Sequence, residues 1–515
     1  MKHLLLTSLF ALSITQCVQA QLTPTAIDSL VNATLKTFDV PGIAVGIIKD
    51  GKLIHAKGYG VRSLSNNLPV DENTLFGIAS NSKAFTSAAL AMLVDEGKLK
   101  WDDKVRDFIP EFKLYDPYVT DAFTVRDLLT HRSGLGLGSG DLMFFPDGGT
   151  FTRAQIIHNL RYLKPTSEFR TKYDYDNNLY IVAGEVIAKV SGLSWEEFIE
   201  QRIMQPLGFT TSKASYNRLP AGANVIDAHA PADGKVVMIP HDWNPVANAA
   251  GGIMSNITDL SKWLLMQLND GKYANDKVLF SKAVHDEMWS PQTIIQTGAG
   301  AYNTHFSAYG LGWFVSDVKG YKQVTHTGGL AGTVTQITLL PELNLAIIVL
   351  TNQQVGAAFS TITNTIKDSY LGYPNRNWIK TYGDRVAKGN AEAKKITDNI
   401  AKELGAQQKN NNIKIIDSLY AGTYNDKWFG KVTITSKSGK LWFASETSPR
   451  LNGYITHYKS NTFMVKWTDR SFDADAYILF STDRNGKADG FKMEAISPLT
   501  DFSFDFQDLD LKRVK

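Results

Sequence analysis

The sequence predicts an α+β fold followed by a small all-β domain, and three observations lead to this prediction. Apolar runs typical of strands occur early, at residues 43–48, and late, at residues 333–340 and 345–350. Helical hydrophobic patterns fill the stretch between them. After Tyr420 about eight short strand-like runs follow, with a turn signal every ten or so residues. We expect one sheet built from both ends of residues 21–375, and then an antiparallel barrel or sandwich over residues 415–515.

The first twenty residues have the pattern of a signal peptide. Lys2 and His3 precede an apolar run, and residues 18–20 form an acceptable cleavage pattern. We therefore predict an exported protein, periplasmic or secreted. The single cysteine, Cys17, would suggest a lipid anchor, but Gln16 precedes it where such a signal has a small residue. Removal of this segment excludes thiol catalysis, disulfides and thiolate metal sites.

The elements of the first domain follow in chain order. Residues 40–63 read as a hairpin around Asp50-Gly51, a favoured tight turn. Residues 84–93 form a helix that is apolar almost all round, which implies burial on most sides. Further helical patterns lie at residues 155–163, 179–190, 195–204 and 260–268, and a further strand pattern lies at residues 310–315. These patterns place a helical region between the two halves of the sheet.

Residues 376–414 are predicted as a charged helical linker to the β domain. Lys, Glu, Asp, Ala and Asn dominate residues 384–408, and apolar residues become sparse there. The strongest apolar run after the signal peptide, residues 343–350, is far too short to span a membrane. The β domain could wall off a cleft, mediate self-association into a homo-oligomer, or add surface only.

Composition and missing motifs exclude several classes of function. Lysine and arginine number 54 against 51 aspartates and glutamates, a balance that argues against a nucleic-acid binder. The chain has no HExxH, CxxC, P-loop or GxSxG pattern, so we expect no metal and no cofactor. The glycines at 134, 136, 138 and 140 lack the strand and helix of a dinucleotide site and indicate a flexible loop.

The first candidate catalytic pair is Ser80 and Lys83, at the start of the apolar helix. Residues three apart lie on one helical face, so the lysine amine can reach the serine hydroxyl. A lysine in apolar surroundings can lose its proton and act as a base. The alternative is a helix cap beside a solvated charge. Ser316 and Lys319 repeat the spacing, but they lie in a polar turn with no apolar helix behind it.

The second candidate pair is Tyr175 and Asn177, just before the helical pattern at residues 179–190. A phenol near Lys83 could relay a proton to a leaving group, and the Asn177 amide could bind both Lys83 and a substrate. Tyr273-Ala274-Asn275 has the same spacing but lies inside a polar turn.

The third motif is His326-Thr327-Gly328-Gly329, ahead of the late strand pair. A glycine-rich strand edge lets a substrate lie against the backbone, and the N–H groups of Gly329 and Ser80 could form an oxyanion hole. The alternative is a glycine turn with an incidental histidine. A look-alike at residues 437–439 sits in a hairpin turn of the β domain.

These three motifs, in this order, resemble those of class C β-lactamases and low-molecular-mass penicillin-binding proteins, the serine peptidase S12 type. The resemblance covers about residues 24–370 and includes residues 128–135 and 309–313. It implies a mixed antiparallel sheet flanked by helices, beside an all-helical region, with the site between them. The tail is similar to the lipocalin-like barrel that follows this domain in some family members.

By this resemblance Ser80 would be the acylated nucleophile, Lys83 its base and Tyr175 the acid/base partner. Asn177 and residues 326–329 would bind substrate. One position departs from the class C pattern: His326 stands where those enzymes have lysine, as in the D-Ala-D-Ala carboxypeptidase branch. Imidazole is a poorer anchor for a carboxylate than lysine. We therefore expect an exported serine peptidase or amidase that acts on a peptide or other small molecule, such as a D-amino-acid peptidase or a D-Ala-D-Ala carboxypeptidase-like enzyme. A class C-like β-lactamase and an esterase on small acyl esters are alternatives, and a non-catalytic binding protein is the least favoured.

Overall fold

The computed structural model describes residues 21–514, apart from residues 242, 299, 375, 410–415 and 438. The predicted signal peptide and Cys17 lie outside the described residues. Within them the chain has the expected α+β unit, then a long helix, then a closed β barrel. None of the helices in this part of the chain combines the length and the apolar character that a bilayer crossing requires.

The α+β unit is built on one eight-stranded sheet. Its strands and the short strands beside it are β1 (Gly42–Lys49), β2 (Lys52–Gly60), β3 (Phe76–Gly77), β4 (Ala228–Ala232), β5 (Lys235–Ile239), β6 (Met254–Ser255), β7 (Lys272–Tyr273), β8 (Lys277–Val278), β9 (Thr293–Ile295), β10 (Ser307–Tyr309), β11 (Phe314–Val318), β12 (Tyr321–Leu330), β13 (Thr333–Leu340) and β14 (Leu345–Thr351). The order is β2-β1-β14-β13-β12-β11-β10-β9, with antiparallel neighbours. Because β1 pairs with β14, the sheet is assembled from both ends of the unit, as predicted.

Helices cover both faces of this sheet. The helices are α1 (Pro24–Phe38), α2 (Ser82–Asp95), α3 (Val105–Phe108), α4 (Pro117–Ala122), α5 (Arg153–Asn159), α6 (Asn178–Ser191), α7 (Trp195–Phe198), α8 (Asn248–Gly251), α9 (Ile257–Leu268), α10 (Lys282–Met288), α11 (Gly356–Leu371), α12 (Trp378–Lys409) and α13 (Asp417–Tyr420). Alternate residues of β1 serve two cores: Ile43, Val45 and Ile47 pack with α1 and α11, whereas Ala44 and Ile48 join the core that contains α2 and α6. Burial on both faces explains why this strand is apolar throughout.

The strand predicted at residues 310–315 is wrong in its bounds. The Gly310 N–H donates to the Trp313 carbonyl at 2.8 Å, so residues 310–313 form a turn between β10 and β11. Gly312 has φ +81°, and a Cβ there would lie 2.8 Å from the Lys83 carbonyl oxygen. This turn packs directly on α2, and the close approach requires glycine.

The C-terminal domain is a closed barrel of eight strands rather than a sandwich. The strands are β15 (Gly422–Asp426), β16 (Gly430–Lys437), β17 (Lys440–Ser445), β18 (Asn452–Lys459), β19 (Thr462–Trp467), β20 (Ala476–Thr482), β21 (Ala488–Ala495) and β22 (Leu511–Arg513). Pairing of β15 with β22 closes it. Alternate side chains such as Val432, Phe463 and Phe491 point inward and are buried, so the barrel interior is a packed core.

Candidate active site

Ser80 lies in a short 3₁₀ turn, Ala79–Asn81, immediately before α2. Ala79 has φ +51°, a left-handed conformation that costs a non-glycine residue about 1–3 kcal/mol and that is concentrated at functional sites. The Asn81 amide donates to the Ile78 carbonyl at 3.2 Å and to the Thr335 hydroxyl of β13 at 2.9 Å. These bonds hold the turn against the sheet and present a half-buried Ser80 at its edge.

Lys83 is fully buried, and its amine reaches the Ser80 hydroxyl. Its Nζ lies 3.2 Å from Ser80 Oγ and donates to Asn177 Oδ1 at 2.7 Å and to the Ala250 carbonyl at 2.9 Å. Burial lowers the pKa of Lys83 to about 7, although the carboxyl groups of Asp141 and Asp176 act in the opposite direction. A substantial fraction of this lysine is therefore neutral near pH 7. The neutral amine lies close enough to Ser80 to act as its general base.

Tyr175 and Asn177 come from the loop that leads into α6. The Tyr175 ring centroid lies 4.8 Å from Lys83 Nζ. Burial raises the pKa of Tyr175 well above its ordinary value, with the nearby Ser80 hydroxyl acting in the opposite direction. The phenol is thus protonated at neutral pH and can donate. Asn177 accepts from Lys83 through Oδ1 and donates through Nδ2 to Asp141 Oδ2 at 2.8 Å.

The third motif lies inside β12, a strand that the sequence pattern did not predict. Pairing with β11 stops at Thr325, so residues 326–330 pair with β13 alone, and no strand in the described part of the chain pairs with their other edge. A Cβ on Gly328 would lie 2.2 Å from the Ile78 carbonyl oxygen, so glycine is required where β12 passes the Ser80 turn. A Cβ on Gly329 would meet nothing within 4 Å. An extended substrate therefore has both an edge and open space here.

His326 is buried and neutral. Its Nδ1 lies 2.6 Å from the Thr327 carbonyl oxygen, which can only accept, so the proton is on Nδ1. Nε2 then accepts from the Tyr309 hydroxyl at 2.9 Å. Burial, with a further contribution from Lys83, lowers the pKa of His326 to about 3. This imidazole carries no charge at neutral pH.

The predicted residues meet at one cleft of about 630 Å³. Its lining includes Ser80, Tyr175, Asn177 and residues 326–329, and Lys83 lies directly beneath Ser80. The residues that repeat the motif spacings elsewhere in the chain do not line the cleft. Ser316 lies in β11 and Lys319 follows it, and Tyr273 is the last residue of β7. Of residues 437–439 the structure describes only 437 and 439, and neither lines the cleft.

The barrel also lines this cleft, which is one of the three roles that the sequence left open for it. Its lining includes Phe472, Asp473, Asp501, Phe502 and Ser503 of the barrel domain. Among the described residues that line the cleft, none is lysine or arginine. No sequence signal marked these barrel residues, because they belong to loops between strands of another domain. Asp141 was missed too, although it directly follows the noted glycine run.

Two models of known families match parts of this chain. A family model described as Beta-lactamase matches residues 27–370, and one described as Domain of unknown function (DUF3471) matches residues 417–513. The chain is 28% identical over 381 residues to "Unguisins hydrolase ungD" of Aspergillus violaceofuscus, covering 69% of this chain and 67% of that protein. It is 29% identical to "Protein flp" of Staphylococcus aureus over 63% of this chain and 62% of that protein. The chain thus spans roughly two thirds of the length of these relatives.

Two solved structures have a similar fold. An octameric penicillin-binding protein homologue from Pyrococcus abyssi superposes with a TM-score of 0.61 at 22% identity, covering 93% of this chain and 99% of that chain. A class C beta-lactamase superposes with a TM-score of 0.55 at 22% identity, covering 67% of this chain and 94% of that chain. At this level of identity the likeness is one of fold.

Proposed function

Because this chain belongs to the beta-lactamase family, whose members are serine hydrolases, we propose that it forms an acyl-enzyme on Ser80 and acts as a peptidase or amidase. The observation that carries the proposal is the Lys83 amine, fully buried and 3.2 Å from Ser80 Oγ. The resemblance of the motifs supports the same roles for Tyr175, Asn177 and residues 326–329.

The proposed reaction follows from these positions. Neutral Lys83 takes the Ser80 proton as Oγ attacks the substrate carbonyl carbon, and the N–H groups of Ser80 and Gly329 receive the oxyanion. The tetrahedral species collapses, the bond from carbon to the leaving nitrogen breaks, and Tyr175 relays the proton to that nitrogen. Water then attacks the acyl-enzyme, which releases the acid and restores the Ser80 hydroxyl.

A fluorophosphonate probe tests the nucleophile directly. We expect one equivalent to add to the folded protein, and we expect peptide mapping by mass spectrometry to place it on Ser80. The heat-unfolded protein is the control and should not react, because the buried lysine that activates Ser80 exists only in the fold. An unchanged intact mass, or addition at another serine, would contradict the proposal.

The charge of the cleft bears on the substrate class. D-Ala-D-Ala peptides and β-lactams carry a carboxylate near the scissile bond, and His326 is neutral where a cation would anchor it. The described lining residues offer no lysine or arginine, whereas Asp473 and Asp501 are acidic. We therefore place the preferred substrates among peptides, amides and esters without a free carboxylate next to the scissile bond. The name of the Unguisins hydrolase relatives is in keeping with hydrolysis.

Matched peptides that end in a free acid or in an amide test this preference. We expect the amide to be cleaved with kcat/KM at least equal to that of the acid, in both the D- and L-series, and nitrocefin to turn over slowly. His326→Lys should raise the ratio of acid to amide kcat/KM about tenfold, because it adds a cation beside the carboxylate. His457→Lys, in β18, is the control. A wild-type enzyme that strongly prefers the acid would refute this choice of substrate class.

A further inference from the structure

The glycine-rich loop at residues 138–141 lies between the active site and the barrel. On the active-site side, the Gly138 N–H donates to the Tyr175 carbonyl at 2.8 Å, and the Asn178 amide donates to the Ser139 carbonyl at 2.9 Å. Residues 138–141 are all buried, so this is a packed loop. The loop therefore supports the segment that carries Tyr175 and Asn177.

On its other side the loop is bound by residues 499–508, here called the barrel loop, which connects β21 to β22. The Ser139 hydroxyl donates to Asp508 at 2.7 Å, and the Gly140 N–H donates to Asp505 at 2.5 Å. Gly138 has φ +68°, and a Cβ there would lie 2.8 Å from the Phe502 carbonyl oxygen. Glycine at this position allows the two loops to touch.

Asp141 contacts both the barrel loop and a residue of the candidate active site. Its Oδ2 accepts from the Ser503 hydroxyl of the barrel loop at 2.8 Å and from Asn177 Nδ2 at 2.8 Å. Asp141 is completely buried, and Asn177 and Ser503 are 8% and 7% exposed. Solvent cannot readily replace either bond, so the loss of one leaves a buried polar group without its partner.

The bond to Asp141 decides which end of the Asn177 amide faces Lys83. With Nδ2 turned to the carboxyl group, Oδ1 points at the lysine and accepts its N–H at 2.7 Å. A flipped amide would present its NH₂ group to the amine and its oxygen to the Asp141 carboxyl group, so the two hydrogen bonds of the observed arrangement would be lost. Asp141 thus fixes the acceptor that holds Lys83 Nζ beside Ser80.

We propose that Asp141 is a positioning residue for the Lys83–Ser80 pair, and that the C-terminal barrel completes the active site by holding Asp141 through Ser503. The inference rests on the proposed function, since it concerns the same serine and lysine. It gives the barrel a defined task in acylation, beyond forming part of the cleft wall.

The test measures the rate of Ser80 acylation by the fluorophosphonate probe, together with kcat and KM for an activated ester. Asp141→Ala and Ser503→Ala should each lower the acylation rate and kcat about 10- to 100-fold with little change in KM, because Lys83 is displaced rather than the substrate contacts. Asp141→Asn should recover most of the rate, since its side-chain oxygen can still accept from Asn177 and Ser503. Ser481→Ala removes another serine–aspartate hydrogen bond of the barrel, the exposed one to Asp489, and should behave as wild type.

The outcomes separate this inference from the proposed function. Wild-type protein that is not labelled at Ser80 overturns both. Labelled wild type with Asp141→Ala and Ser503→Ala reacting at the same rate overturns only the role of the barrel. Asp141→Asn as slow as Asp141→Ala refutes control through amide orientation. Thermal melting of each variant confirms that it is folded, and Asp141→Asn, the mildest change, keeps the test decisive if Ser503→Ala does not fold.

Discussion

Ser80→Ala should abolish turnover, with kcat about 10⁶-fold below wild type, because loss of a hydrolase nucleophile leaves only binding and oxyanion stabilisation. The variant should also fail to bind the fluorophosphonate covalently. Its fold should persist, since Ser80 is half-buried and its hydroxyl accepts a hydrogen bond from Lys83 without packing in the core. One such bond contributes about 1 kcal/mol, so Tm should move by less than about 5 °C.

Ser316→Ala is the matched control for this change. Ser316 begins the second Ser-x-x-Lys pattern but lies in β11, where its hydroxyl accepts from Gln323 at 3.2 Å. It should keep wild-type kcat and labelling. Residual turnover in Ser80→Ala above a few per cent of wild type would rule out Ser80 as the nucleophile.

Lys83→Met is expected to lower kcat/KM about 10²- to 10⁴-fold, the range that a general base supplies. Methionine keeps the length and apolar packing of the buried side chain but cannot accept the Ser80 proton. Lys319→Met removes the lysine of the second pattern, whose ammonium binds the Leu371 carbonyl away from the cleft, and should leave activity unchanged. Lys83→Met with near-normal acylation would show that another group removes the Ser80 proton.

The pH profile identifies the same group. The base must be unprotonated to act, and the pKa of Lys83 is lowered to about 7, so kcat/KM should fall as the pH drops below about 7. Burial also raises the pKa of Asp176 to about 7. If Lys83 causes the fall in kcat/KM at low pH, that fall should disappear in Lys83→Met. A fall that persists in this variant would be assigned to Asp176.

Much of the fold and the site could be predicted because the signals are local. The apolar helix behind Ser80, the strands at residues 333–340 and 345–350, and the eight-strand rhythm of the barrel all follow from burial of alternate or helically spaced side chains. The three motifs each sit within a few residues of such an element. Their order along the chain was enough to predict that they meet, and they do so at one cleft.

Other features have no local signal. β12 was not predicted because its glycines and polar residues lack apolar alternation; the register with β13 makes it a strand. The neutral state of His326 depends on burial and on the Tyr309 hydroxyl, which approaches from another strand. The lowered pKa of Lys83 likewise requires that α2 be enclosed on all sides.

The residues alone therefore determined the α+β class, an all-β C-terminal domain and the identity of the candidate catalytic groups, since periodic burial and short motifs depend on nearby positions in the sequence. Only the tertiary structure decided where the barrel sits and what it does. Ser503 reaches Asp141 across 362 positions of sequence, through a single buried hydrogen bond. Such a contact leaves no periodic pattern in the sequence, because it forms only when two folded domains pack against each other. The hydrogen bond contributes to stability only when both domains are folded.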